Sequence, residues 1–270
     1  MEDRQIFDMW EQFKTLLKST NRQGVDELLN WLDSTDFKFA PASTKYHNSF
    51  RGGLLKHSLD VYYHMDDFKE LNIFFDIKDD TKIISALLHD VCKVQCYGVE
   101  YRNAKNEDGQ WVKVPYYTWK EQKPYGHGQK SVIEIQQHGL KLTDIEIAMI
   151  INHMGFSDVV SDKDTGRVSA LFSMCPQSLV LHYADELSTY VTESPDLQTR
   201  FRQKLTGKNI TDSNNINNQK QTIIVDNYEY KLSPQDAVVD NKEIINVLVD
   251  NGGISVPVKV YAPHKDGLPF

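Results

Sequence analysis

The first thing missing from this sequence is a long hydrophobic run. No apolar stretch approaches the roughly 20 residues that cross a bilayer, and the opening residues, Met1-Glu-Asp-Arg-Gln5, lack the apolar segment of a secretory signal. The expectation is a cytoplasmic protein. Cysteine is scarce: Cys92, Cys96 and Cys175 are the only three. Cys92 and Cys96 have three residues between them and no second pair to complete a thiolate zinc site, so reduced, structural thiols are expected. An excess of basic charge is also absent. The formal net charge of −8 argues against a tight grip on a long duplex, which needs a basic footprint. It leaves room for a small phosphorylated substrate held by a metal and a few cations.

What is present is the composition of an ordinary globular chain. Its 270 residues, 40% hydrophobic, suffice for one good-sized core and a small second module. Ile6, Trp10, Phe13 and Leu17, then Val25, Leu28, Leu29 and Leu32, recur at helical spacing and predict two amphipathic helices. Asp36 to Phe50 has no period and contains Pro41, so a loop is expected. Arg51-Gly-Gly-Leu-Leu-Lys-His57 opens a helix running to about Leu71, with glycines that let backbone pass close to a neighbour. Asp79, Asp80 and Thr81 offer capping chemistry for a helix whose apolar face is Ile83, Ile84, Leu87, Leu88 and Val91.

The pattern changes after Lys93. Tyr97 to Trp119 is aromatic and β-branched, broken by Asn106-Glu-Asp-Gly109, and predicts an inserted β-hairpin at about 95–120. Helices resume at about His127–His138, with Gly139 as the stop, then behind the capping box Thr143-Asp-Ile-Glu146, then from about Pro176, with a short one over Asp196–Leu205. Residues 207–221 are polar and asparagine-rich and predict a linker. Residues 222–270 predict a small β-rich module with a hairpin either side of Asp250-Asn-Gly-Gly253. The organisation expected is N-terminal helices over 1–44, a helical domain over 45–206, the linker and the β module.

The chemistry centres on Ser85-Ala-Leu-Leu-His-Asp-Val-Cys-Lys93, an apolar run ending in an adjacent imidazole and carboxylate. Burying His89 and Asp90 is costly unless something pairs with them, and a metal ion would. Alone the dipeptide is weak, because such a pair arises by chance. His57, His127, His153 and Asp185 are the further candidate ligands, each on or at the end of a different predicted helix. Any one of these histidines by itself reads as a hydrogen-bonded structural residue; the set of six does not.

In the order His57, His89-Asp90, His127, His153, Asp185, the sequence resembles the HD-domain metal-dependent phosphohydrolases. The matching pieces are Gly52-Gly-Leu-Leu-Lys-His57, Leu87-Leu-His-Asp-Val-Cys-Lys93, Tyr125-Gly-His127 and Leu181-His-Tyr-Ala-Asp185, across roughly Lys45 to Tyr190. Their contexts are most similar to HD-domain 3′-to-5′ exoribonucleases and prophage-type hydrolases. Cys92 stands where many members have glycine, and a packing adjustment is expected. The resemblance implies a mostly α HD-domain bundle carrying the hairpin and the β-rich module. It implies two divalent ions (Mn²⁺, Mg²⁺, Fe²⁺ or Zn²⁺), with Asp90 bridging them, His57, His89 and Asp185 serving one ion and His127 and His153 the other. A metal-activated water would then attack a phosphoester of a nucleotide or short single-stranded oligonucleotide.

Lys93, Arg51 and Lys130 are the cations nearest in sequence to these residues and are candidates for phosphate contact. His47, in a loop resembling a substrate-proximal loop of the exoribonuclease group, is a candidate catalytic or substrate-contacting residue. His182, one turn before Asp185, is expected to be structural, as are His64 and His138. Rival readings are an exoribonuclease proper, a di-iron oxygenase on the same ligands, and a nucleotide-sensing module with a slow site. Only two short helices precede the resembling region, which tilts the expectation towards small substrates. A protein partner for the β module is left open.

Overall fold

The computed structural model describes residues 1–105, 109–121, 123–159 and 161–194, and the strands Gln221–Val225, Tyr228–Leu232, Ile244–Asp250 and Ser255–Tyr261. The chain divides into two compact units, Met1–Gln198 and Thr199–Phe270.

The first unit is helical. Helices α1 (Asp3–Ser19) and α2 (Val25–Asp33) bury the two apolar stripes expected of them. Phe37, from the loop that follows, lies against Phe13 with ring centroids 5.1 Å apart. Helix α3 (Gly53–Asp67) begins where backbone approaches backbone: a Cβ on Gly53 would lie 1.9 Å from the Asn48 carbonyl oxygen. The helix expected to continue to Leu71 breaks at Phe68 and restarts as α4 (Lys69–Phe74). Buried Asn72 donates from Nδ2 to the Met65 carbonyl at 2.7 Å, satisfying one of the acceptors that a helix end leaves open. Helix α5 (Asp79–Leu88) has Lys78 before it, and Asp79 and Asp80 sit inside its first turn. Both complement the helix dipole there, and Asp80 Oδ1 accepts from the Thr81 amide at 2.9 Å, one of the open donors of that turn.

The hairpin forms from β1 (Tyr97–Lys105) and β2 (Trp111–Trp119), paired antiparallel from Tyr97↔Trp119 to Lys105↔Trp111. Helix α6 (His127–Gln137) leads to α7 (Asp144–Asn152), whose capping box joins Thr143 and Glu146 as the sequence predicts. Helix α8 (Asp162–Met174) was not expected, since Val168 is a buried hydrophobic in a largely polar stretch that shows little period. Helix α9 (Gln177–Leu187) follows Pro176 and runs into one π-helical turn, Ser188–Thr192. The helix expected over Asp196–Leu205 and the linker before Gln221 lie outside the described residues.

Helix α3 packs on α5 and α9, and α7 packs on α5, α6 and α9, with α1 laid across α3 and α5. Leu54, Leu55, Ile84, Leu87, Leu88 and Ile150 are fully buried in the shared core with the α1 and α2 stripes. Each such side chain contributes about 1.5–3 kcal/mol relative to exposure. Helices α6 and α7 touch through Gly128, where a Cβ would meet the Ile150 carbonyl oxygen at 2.3 Å. Arg22 reaches the fully buried Glu146 carboxylate at 2.8 Å and ties the start of α7 to the loop before α2.

In the second unit, β3 (Gln221–Val225), β4 (Tyr228–Leu232), β5 (Ile244–Asp250) and β6 (Ser255–Tyr261) form an antiparallel sheet in the order β4-β3-β5-β6. The fold class is therefore the one expected: mostly helical, with an inserted hairpin and a β-rich C-terminal unit. Among the described residues, no helix is long and apolar enough to cross a membrane.

Candidate metal centre

Two helix ends build the centre in the same way. Helix α5 ends at His89 and α7 at His153, each still in helical conformation. His89 places Nδ1 2.7 Å from the Ala86 carbonyl, and His153 places Nδ1 2.6 Å from the Ile150 carbonyl. Each ring nitrogen thus donates to an open acceptor at its helix terminus, which leaves Nε2 with its lone pair. The chain turns sharply after His89, because Asp90 leaves helical geometry (φ −105°, ψ 16°) and a 3₁₀ turn follows over Val91–Lys93. Ser131 on α6 pins that turn: its hydroxyl donates to the His89 carbonyl at 2.5 Å and accepts from the Cys92 amide at 3.0 Å. Cys92 is buried here as a free thiol, as are Cys96 and Cys175.

His57 from the second turn of α3, His127 from the start of α6 and Asp185 from α9 converge on the same point. His57 Nε2 lies 3.2 Å from His89 Nε2, 3.2 Å from Asp185 Oδ1 and 3.5 Å from Asp90 Oδ2. His127 Nε2 is 2.6 Å from Asp90 Oδ1, and His153 Nε2 is 3.6 Å from that same oxygen. All six side chains predicted from sequence come together. They form overlapping sets with ligand atoms within 4.8 Å of one another: His57, His89 and Asp90; His89, His153 and Asp185; Asp90, His127 and His153.

The donors suit a divalent cation. Imidazole and carboxylate with no thiolate match Mn²⁺, Mg²⁺, Fe²⁺ or Zn²⁺. His153 Nε2 is buried with no hydrogen-bond partner, a costly arrangement for a polar atom unless something ligates it. The histidines' outer nitrogens are held by acceptors, as in metal sites generally.

The electrostatics carry the strain of so many groups. Burial works against the charged form of Asp90, yet Lys93, His89, His127 and His153 hold it well below the usual carboxylate range. Asp185 is likewise held low against its burial, chiefly by His57. Burial opposes a charge on His57, but Glu193 and Asp185 outweigh it and raise it to about 10. His127 is lowered by burial despite Asp90, whereas at His153 Asp90 prevails over burial and raises it.

A cavity of about 490 Å³ opens over this floor, lined by His57, Asp90, Lys93, His127 and Asp185 and also by His47, Tyr46 and Trp119. Lys93 Nζ contacts Asp90 Oδ2 at 2.6 Å and donates to the Ala42 carbonyl at 2.8 Å. His47 lies beside His57, ring centroids 5.1 Å apart, with its Nε2 buried and without a partner.

The other two candidate cations sit elsewhere. Arg51 pairs with Asp3 and lies over Phe39, while Lys130 pairs with Glu121 at 2.8 Å and with Cys96 Sγ at 3.1 Å; neither lines the cavity. Both had only proximity in sequence to suggest them, and opposite charges reach them first. His182 accepts its structural role, with Nδ1 2.6 Å from the His153 carbonyl. His64 contacts Asp67 and Thr192, and His138 stacks on Trp31.

Two residues at the site were missed from sequence. Ser131 lay on an expected helix with nothing to single it out. Glu193 follows the last predicted motif by eight residues, yet its carboxylate is fully buried against His57 Nδ1 at 2.9 Å. No periodicity announces a side chain delivered by a π turn.

A helical bundle closing over a buried His/Asp cluster fits an HD-type metal site. Over 157 residues, 57% of its length, the chain is 25% identical to a curated protein of Methanocaldococcus jannaschii named dihydroneopterin 2′,3′-cyclic phosphate phosphodiesterase. The match takes in 53% of that relative, so the chain spans about half the length of the curated relative it matches. No protein-family model matches the chain, and no solved structure does.

Proposed function

We propose that this protein is a metal-dependent phosphohydrolase of the HD type, cleaving a phosphoester of a small molecule in which phosphate is joined to a planar heterocycle. The observation that carries this is the orientation of Asp90. Its Oδ2 faces His57 and His89, and its Oδ1 faces His127 and His153. One carboxylate serving two histidine pairs suits two cations held side by side. His57, His89, Asp90 and Asp185 would hold the first, and Asp90, His127 and His153 the second. Bound there, such ions supply a water that ionises near neutral pH and a positive field for the phosphate.

The chain's own residues do the rest. Lys93 brings an ammonium to the cavity floor, where a phosphate oxygen can take a charge-assisted hydrogen bond. Burial, then His57 and Lys93, lower His47 to about 4. Its neutral ring therefore offers substrate a hydrogen bond and not a stored proton. Trp119 lines the cavity, braced edge-on by Tyr97 at 5.2 Å, and presents a face on which a heterocycle can stack. The relative's name, a cyclic phosphate of a pterin, has the same two parts. A cavity of about 490 Å³ is of small-ligand size.

A second reading, trimming of short single strands, draws on Tyr101 and Trp111, hairpin aromatics that are 67% and 70% exposed and could stack on further bases.

The test uses chelated protein given Mn²⁺, Mg²⁺, Fe²⁺ or Zn²⁺ in turn. The substrates are phosphomonoesters, 2′,3′-cyclic phosphates of nucleosides and pterins, and short oligonucleotides. Turnover of cyclic phosphates or monoesters in preference to oligonucleotides supports the first reading, and the reverse supports the second. No turnover by any pair of metal and substrate sinks both.

A further inference from the structure

Glu193 is a buried carboxylate with a specific attachment. It closes the π turn, its amide donating to the Ser188 carbonyl at 2.9 Å. The Ser188 hydroxyl donates back to Oε1 at 2.6 Å, and the same oxygen lies 2.9 Å from His57 Nδ1. The side chain is wholly buried and Oε2 has no hydrogen-bond partner. The Asp60 carboxyl, paired with Lys56, is also within reach of it: burial, and then Glu193, push Asp60 up despite Lys56, while His47 helps to hold Glu193 low. Among the described residues, its ion pair is with His57. A carboxylate so enclosed is costly, and packing alone does not account for it.

The position of His57 supplies the reason. His89 and His153 end their helices, so each rests Nδ1 on a carbonyl that its own helix leaves open. His57 lies inside α3, where the carbonyls one turn back are already engaged in the helix. An acceptor for its Nδ1 must come from another element. The single π turn adds the residue that swings Glu193 into reach; such turns gather at functional sites.

We infer that Glu193 is a positioning residue for His57. It holds the ring with the proton on Nδ1 and the lone pair on Nε2, and as an anion it raises the basicity of that nitrogen more than a carbonyl would. It thereby sets the affinity of the cation on the His57 side of Asp90, and leaves the His127 and His153 side to its own partners. This rests on the metal-site reading above.

Isothermal titration of the chelated full chain with Mn²⁺ tests it, comparing wild type with Glu193→Gln, whose amide oxygen can still accept from Nδ1 but carries no charge. The expected result is about a 10- to 100-fold loss of affinity for one ion, with the other bound as in wild type; the metal-free variant also melts lower, because His57 loses the charge that Glu193 sets against it. Affinity for both ions unchanged from wild type overturns the inference. So does an equal loss at both, which marks a structural role. A wild type that binds no ion overturns the metal reading itself, a separate outcome. If Glu193→Gln does not fold, histidine-selective ¹⁵N NMR of the zinc-loaded wild type decides. His57 protonated at Nδ1 and metallated at Nε2 supports the inference, and the opposite tautomer overturns it.

Discussion

His57 and Asp90 stand 3.5 Å apart through Nε2 and Oδ2, which turns the other oxygen of Asp90 towards His127. Asp90 is thus the residue both halves of the proposed centre share. Asp90→Ala is expected to abolish binding of both ions, whereas His153→Ala, a ligand of the second ion alone in the proposed centre, keeps one. Metal content measured on dialysed protein distinguishes these. Full occupancy in Asp90→Ala would show that the carboxylate bridges nothing.

Lys93 brings a positive charge to Asp90 when no ion is bound, with Nζ 2.6 Å from Oδ2. Lys93→Met leaves a buried carboxylate with one partner fewer, so the metal-free protein should lose about 3–5 kcal/mol of stability. For a domain of this size that lowers the melting temperature by roughly 6–20 °C. Added Mn²⁺ should restore most of the loss. An unchanged melting temperature in chelator would mean that the histidines alone neutralise Asp90.

Metal-free stability should also depend on pH in a definite direction. Glu193, ordinarily 4.5, is held at about 2 against its burial, chiefly by His57. Its contribution is complete above pH 4.5 and fades as pH falls towards 2. His57, ordinarily 6.5, is raised to about 10. Its contribution is complete below pH 6.5 and fades as pH rises towards 10. His47 and His127, both held below their ordinary 6.5, withdraw stability as pH falls beneath that value, so chelated protein should be most stable near pH 6.5. Metal competes for Nε2 of His57 and should move the maximum upward. Melting curves across pH, with chelator and with Mn²⁺, check this; a chelated maximum above pH ~7.5 contradicts it.

Trp119 lines the cavity without touching the cluster. If it stacks on a heterocycle, Trp119→Ala should raise KM by about 10- to 100-fold, the worth of one base-aromatic contact. The turnover number and metal affinity should change far less. An equal effect on a phosphate compound with no ring would remove stacking as the cause.

Much of this protein was readable in order along the chain. The apolar stripes of α1 and α2, the hairpin and the Thr143–Glu146 capping box follow from periodicity and turn chemistry, which are local. The six clustered side chains were legible as well, each at or within a predicted helix. What local signals could not show was distance. Lys130 is as close in sequence to His127 as Lys93 is to Asp90, and Arg51 lies one turn or two before His57, yet only Lys93 lines the cavity, because Asp3 and Glu121 come from other elements to claim the other two.

By itself, the sequence determined the class of fold and the kinds of ligand present, since helical period, caps and residue chemistry are written within a few positions of each other. Tertiary packing decided which oxygen of Asp90 faces which histidine, that Ser131 pins the His89 turn, and that Glu193 backs His57. Those relations join residues 37, 42 and 136 positions apart. They exist only once the bundle closes and water is excluded, because buried polar groups must then find partners wherever the chain brings them.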